Sequence, residues 1–259
     1  MRSVLVCAAA LAAFASSARA QTMLDQEERL IEIHSLLVDL PPGGAPGAYR
    51  PGEVSLGVEV VGIPTINGQT GGKVQITASD HTSLFPRPRL AVGLPAPDGY
   101  RAFAGIAYIP PITFREVSSH LGALEAGIAW VPEGPLSAGL RGHFLLARST
   151  SPVTDPNTRD TLDDVEFGAD VSAGYRLDLG PLGLTPFASV GVTRVAGDFH
   201  VTSDNETLRS RTTNIGFTGG LQLFAGRNVE AVAELAVYPG RLVHPNFRLA
   251  WVFDAFPRR

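Results

Sequence analysis

The sequence predicts an all-β fold: a closed antiparallel transmembrane up-and-down β-barrel of about ten strands, with a short N-terminal periplasmic helix. Three observations carry this reading. The segments after Gly52 alternate apolar with small or polar residues, most of them are long, and the connections between them alternate short and long. Strands of soluble proteins run about 5–6 residues, whereas a tilted strand crossing hydrocarbon needs about 9–11.

The first twenty residues, "MRSVLVCAAALAAFASSARA", have a basic start at Arg2, an apolar run from Val4 to Ala15 and small residues at Ala18 and Ala20. That is a secretory signal, cut between Ala20 and Gln21. Losing Arg2 and Arg19 with it takes the net charge from −4 to −6, a balance that argues against nucleic-acid partners. Cys7 is the only cysteine, so the mature chain is expected to lack disulfides and thiolate chemistry.

Residues 21–52 form a periplasmic helix and a Pro/Gly-rich linker, and 53–259 the barrel. Within 22–40, Met23, Leu30, Ile33, Leu37 and Leu40 make a stripe at helical spacing, Thr22 and Asp25 suit its start, and "PPGGAPG" at 41–47 breaks it. The stripe shows that one face is buried; the expectation is that it packs beneath the barrel.

The strand segments are 53–63, 87–94, 100–109, 120–131, 136–148, 165–177, 184–197, 211–224, 228–238 and 245–254. "PAPDG", "PEG", "DLGPLG" and "AGR" are tight turns built on Gly and Pro. Between them stand longer polar connections such as 149–164 and 202–210. Short turns on one side and longer loops on the other characterise a membrane barrel, and both termini fall on the turn side.

Period-2 alternation sorts side chains to lipid or lumen. In 165–177, Val165, Phe167, Ala169, Val171, Ala173 and Tyr175 face outward and Glu166, Gly168, Asp170, Ser172, Gly174 and Arg176 inward. Outward aromatics cluster near strand ends: Tyr100, Trp130, Tyr175 and Phe253 toward the turns, Tyr108, Phe144, Phe167 and Phe247 toward the loops. Interfacial rings prefer that depth. Segments 100–109 and 184–197 are apolar on both faces and leave their inward sets open. The last strand, "NFRLAWVFDAF", alternates Phe247, Leu249, Trp251 and Phe253, with Phe256 beyond. It resembles the aromatic-ended terminal strand of Gram-negative outer-membrane β-barrel proteins, although they usually stop at the aromatic residue and this chain continues. The resemblance implies a place in the bacterial outer membrane, contact with lipid and lipopolysaccharide, and insertion by the barrel-insertion machinery.

Inward charges are the candidate site. Glu125, Arg141, His143, Glu166, Asp170 and Arg176 come from consecutive strands, and Glu230, Glu234 and Arg248 from the last two. Small barrels fill their interiors with side chains, so an ion-pair network plugging the lumen is expected. The histidines lack metal-ligand spacing, Ser118, Ser119 and His120 are only sequence neighbours, and the acidic loop at 155–164 lacks the calcium-loop pattern, so no cofactor, metal or catalytic set is assigned. The expected role is structural, adhesive or envelope-maintaining and non-enzymatic; a narrow solute channel and a membrane-embedded lipid-modifying enzyme are the alternatives. Orientation is checked by labelling. A cysteine replacing Thr158 should react with an impermeant reagent on intact cells, one replacing Gly134 should not, and reversed labelling would invert the assigned topology.

Overall fold

A computed structural model describes residues 31–255 except 34, 37, 65–81, 115–116, 152–156, 204 and 227. The signal segment, its Ala20–Gln21 cut, the start of the predicted helix, Asp155 and Phe256 lie outside the described residues.

Ten long strands close into a ring. In chain order they are β1 (Glu53–Pro64), β2 (Thr82–Leu94), β3 (Tyr100–Phe114), β4 (Val117–Trp130), β5 (Leu136–Ser151), β6 (Asp160–Tyr175), then, after a three-residue β7 (Leu177–Leu179), β8 (Leu182–Val201), β9 (Glu206–Ala225), β10 (Val229–Tyr238) and β11 (Leu242–Asp254). Every neighbouring pair is antiparallel. β6 pairs directly with β8, β1 closes on β11 from Glu53↔Asp254 to Val61↔Asn246, and β7 is a short ribbon on β8. The pairing of β1 with β11 removes the two terminal edges that an open sheet would expose to hydrocarbon.

The outward residues are apolar and exposed, among them Leu56, Leu124, Leu140, Val171, Ile215 and Leu249, and all eight predicted girdle aromatics lie among them. The inward residues include many buried polar and charged groups. A soluble barrel would show the reverse arrangement.

On the loop side the strands run further than the sequence reading placed them. The stretch 202–210, expected to be a long loop, is mostly strand, with β8 reaching Val201 and β9 starting at Glu206. Likewise 149–151 and 160–164 continue the β5–β6 ladder. Polar residues prolong these strands because they pair across them: Arg148 meets Asp163 and Arg211 meets Asp198, each at 2.5 Å on the outer surface. The asymmetry between the two ends thus resides partly in strand overhang and less in loop length.

The N-terminal segment departs most from expectation. Residues 31–38 are helical at their described positions, yet they lie within the barrel and not beneath it. Glu32 meets Arg241, in the β10–β11 connection at the loop end, at 2.7 Å. Ser35 Oγ donates to Asp164 at 2.5 Å. Gly47 O accepts from Arg101 at 2.8 Å, and Gly52 N donates to Gly93 O at 2.9 Å, both at the turn end. The segment therefore threads the whole lumen before entering β1. A Cβ on Gly93 would come within 1.9 Å of Arg50 O, so only glycine lets the chain make its last bend into the wall.

The thread also explains the strands that are apolar on both faces. Val38 and Leu40 pack against Ala107 and Ile109 of β3 with Leu121, Ala123, Leu145 and Ala147, while Leu36 packs against Val195 of β8 and Ala45 against its Phe187. Those inward apolar faces receive the buried side of the segment.

The face assignment has a direct test. Val171 points to lipid at 53% exposure and neighbouring Ser172 points inward. Val171→Arg should cost about 2–4 kcal/mol. Ser172→Arg should disturb the interior instead, and denaturant titration in lipid vesicles measures both.

Candidate functional site: the filled lumen

The lumen is organised around arginines from β2 and β5. Arg87 Nε donates to Glu59 at 2.7 Å, and Arg89 bonds both Glu59 and Glu125, the latter at 2.5 Å. Arg141 continues the chain, reaching Glu125 at 3.1 Å and Asp170 at 2.7 Å. Glu59, Arg87, Arg89, Glu125, Arg141 and Asp170 thus form one continuous chain of alternating charge across β1, β2, β4, β5 and β6, all of it buried. Burying such charges is tolerable only when each is paired and hydrogen-bonded.

The same arginines hold the thread. Arg87 donates to the carbonyls of Val38 and Asp39, Arg89 to those of Pro41 and Pro42, and Arg141 to those of Leu40 and Pro41, at 2.8–3.2 Å. A Pro/Gly stretch suits this role. Its prolines have no N–H to satisfy, and its carbonyls, unused by any helix or sheet, face outward as acceptors. Gly43 has φ +68, and a Cβ there would sit 2.0 Å from Arg89 Nη1. The backbone approaches the guanidinium closely because there is no side chain between them.

A second centre lies toward the turn end. Glu230 receives Arg248 and Gln222 at 2.5 Å, Ser55 at 3.0 Å and the Tyr49 hydroxyl at 3.3 Å. Arg248 also donates to Tyr49 Oη at 2.7 Å, and Ala45 N donates to Gln222 at 3.1 Å. Glu234 accepts from Gly43 N at 3.1 Å and Asn246 at 2.7 Å. Toward the loops, Asp39 of the thread lies 3.0 Å from His143 Nε2 and accepts from Tyr238 and, at 3.3 Å, from Thr193.

The predicted site residues therefore fall into distinct groups. Glu125, Arg141 and Asp170 share the first network, and Glu230, Glu234 and Arg248 surround the second. His143 meets Asp39, although its register partner on β4 is Glu125. Glu166 is fully buried, and neither carboxylate oxygen makes a hydrogen bond among the described residues. Arg176 stands outside the lumen: β6 ends at Tyr175, and Arg176 is exposed beside Asp178 at 3.4 Å. The period-2 pattern ran two residues past the true strand end, where Arg176 N bonds Pro135 O in the turn layer.

Glu59, Arg87 and Arg89 escaped the sequence reading. Their signal was present, since "EVSLGVEV" and "RPRLAV" place these charges on the inward parity of their strands. Asp39 and Tyr49 escaped because their segment was assigned to the periplasm.

Ser119 and His120 face opposite sides of the wall. Ser119 is buried and pairs with Ser149 at 3.0 Å, while His120 is exposed. The acidic residues of 160–164 diverge too: Asp160 accepts from Thr202 N, Asp163 pairs with Arg148 and Asp164 accepts from Ser35.

Arg141 touches two carboxylates and two carbonyls of the thread, so Arg141→Met should strand Glu125 and Asp170 and destabilise the barrel by about 3–5 kcal/mol. Arg176→Met, outside the network, should stay within about 0.5 kcal/mol. Unfolding midpoints in denaturant distinguish the two.

No protein-family model matches the chain, and no curated protein matches it. Solved structures similar to it include the N-terminal β-barrel domain of Pseudomonas aeruginosa OprF, at 10% identity over 79% of this chain and 100% of that one, with a TM-score of 0.30. The translocator domain of the autotransporter NalP from Neisseria meningitidis is similar at 10% identity over 79% and 88%, with a TM-score of 0.47. An outer membrane channel from Pseudomonas putida F1 matches at 14% identity over 83% and 100%, with a TM-score of 0.45. The ring of ten strands, apolar outside, charged within and banded by aromatic residues, has in its own right the architecture of a transmembrane β-barrel of the outer-membrane type.

Proposed function

We propose that the protein is a closed barrel with a structural or adhesive role in the outer membrane, acting through its surfaces and not through an axial pore or a catalytic site. One observation carries this reading: the lumen is occupied along its length by residues 31–52, bonded to the wall at every level. At the level of Tyr49, Phe103, Asp170 and Ser172 a cavity between this thread and the wall is about 40 Å³. That volume holds two or three waters and excludes a solute. The aromatic-ended β11 is the segment the insertion machinery would read, and the lipid face and loop-end rim would meet lipopolysaccharide.

A narrow channel is the competing reading, and it requires the thread to leave. Planar-bilayer recording separates the two. The purified protein should carry no steady current, whereas deletion of residues 31–48 should open a measurable one, because the wall charges would then face water. A large stable conductance from the unaltered protein would favour the channel.

A further inference from the structure

Between β2 and β3 the barrel wall is incompletely zipped. The β2–β3 ladder runs from Leu94↔Ala102 to Arg89↔Ala107 and stops there, although β2 continues to Thr82 and β3 to Phe114. Each strand stays paired on its other side, β2 with β1 as far as Thr82↔Pro64 and β3 with β4 as far as Phe114↔Val117. Only the edge between them is open, on the loop half of the barrel.

The cause is written in the sequence. Continuing the register would set Pro88 opposite Tyr108 and Pro86 opposite Pro110, with Pro111 next along β3. None of these prolines has an N–H to give a ladder, and proline in sheets is confined to edges and bulges. The Pro110–Pro111 pair also coincides with a register shift between Ile109 and Ile112 against β4. In a membrane, where unpaired backbone is costly, four prolines concentrated on one seam mark a local weakness. Tyr108, an outward ring of the loop-side girdle, flanks the seam, so it opens to the outer-leaflet side of the hydrocarbon.

Behind the seam lies one of the apolar clusters of the interior. Ile109, Leu121 and Leu145 are almost fully buried there with Ala107, Ala123 and Ala147, packed around Val38 and Leu40 of the thread. Arg87, inward on β2 at the same seam, is fully buried, and its Nη2 has no hydrogen-bond partner among the described residues. An apolar compartment with one spare cationic donor, beside an unzipped stretch of wall facing lipid, has the chemistry of an amphiphile site.

We propose that the β2–β3 seam is a lateral portal, through which a single acyl chain ended by an anionic group enters from the outer leaflet, displaces Val38 and Leu40 and meets Arg87. The proposal rests on the outer-membrane orientation and is independent of whether the axial path conducts. A barrel shut along its axis would then still exchange an apolar ligand through its side.

A photoreactive fatty acid carrying a diazirine in its chain tests this in phosphatidylcholine vesicles. After irradiation and peptide mapping, the full mature protein should carry label on Leu40, Leu121 or Leu145 as well as on lipid-facing Leu124. Bridging Pro88→Cys to Tyr108→Cys with a short bis-maleimide should bring the lumen label to background and leave Leu124 labelled, with heat-modifiable gel mobility showing the ring intact. Pro86→Val with Pro88→Val restores two donors. It should raise amide protection along the seam and lower lumen labelling without a bridge. Lumen residues left unlabelled in the unbridged protein, or labelled equally in the bridged one, would overturn the portal. Axial current is read separately, so failure here does not bear on the closed-pore reading.

Discussion

The guanidinium groups of Arg87, Arg89 and Arg141 are what the rest of this interior depends on. Each must satisfy up to five N–H donors where bulk water is scarce, and carboxylates of the wall alone do not suffice. Glu59, Glu125 and Asp170 balance the charge, and the carbonyls of residues 38–42 take donors that remain. Arginine suits this double task because its planar fork holds a carboxylate with one edge and reaches a backbone oxygen with another. Wall and thread are thus complementary in a strict sense: neither is fully satisfied without the other.

This complementarity separates the polar inside from the apolar outside more sharply than alternation alone requires. The outer face needs only to be apolar over the hydrocarbon, and many residues would serve there. The inner face must match a particular path of carbonyls, N–H groups and apolar side chains. Where the thread presents Val38 and Leu40 the wall is apolar, and where it presents the carbonyls of Pro41 and Pro42 the wall is cationic. Where it presents the N–H groups of Gly43 and Ala45, the wall supplies Glu234 and Gln222. The interior reads as a cast of the segment it encloses.

The fold was legible because its cause is periodic. Lipid outside and charge inside impose a two-residue repeat on most strands, and "VEFGADVSAGY" at 165–175 shows it without reference to any partner. Segment 165–177 overshot by two residues because the repeat outlives the ladder at a turn. The site was only half legible. Inward parity revealed Glu125, Arg141 and Asp170, but not that Arg89 would bridge Glu59 and Glu125. The thread was illegible because Pro/Gly composition describes a linker and a luminal strap equally well. What decides between them is a set of contacts with residues some 50 to 200 positions away, such as Arg101 with Gly47 and Tyr238 with Asp39. The two-faced apolar strands were the trace it left in the sequence, since a charged lumen has no use for Ile109 or Val195 unless something apolar lies against them.

The threaded segment also has a consequence for assembly. It precedes β1, and the ring is completed by β1 meeting β11, the last strand to be made. If closure came first, the chain would have to be drawn lengthwise through a finished lumen, carrying Glu32 and Asp39 past arginines already paired with other acids. If residues 31–52 lie in place while the sheet is still open, the wall can wrap around them and β11 seals the gap. The luminal segment then serves as a template on which the sheet curls, and the order of synthesis, from N-terminal strap to C-terminal closing strand, is the order in which those contacts become available.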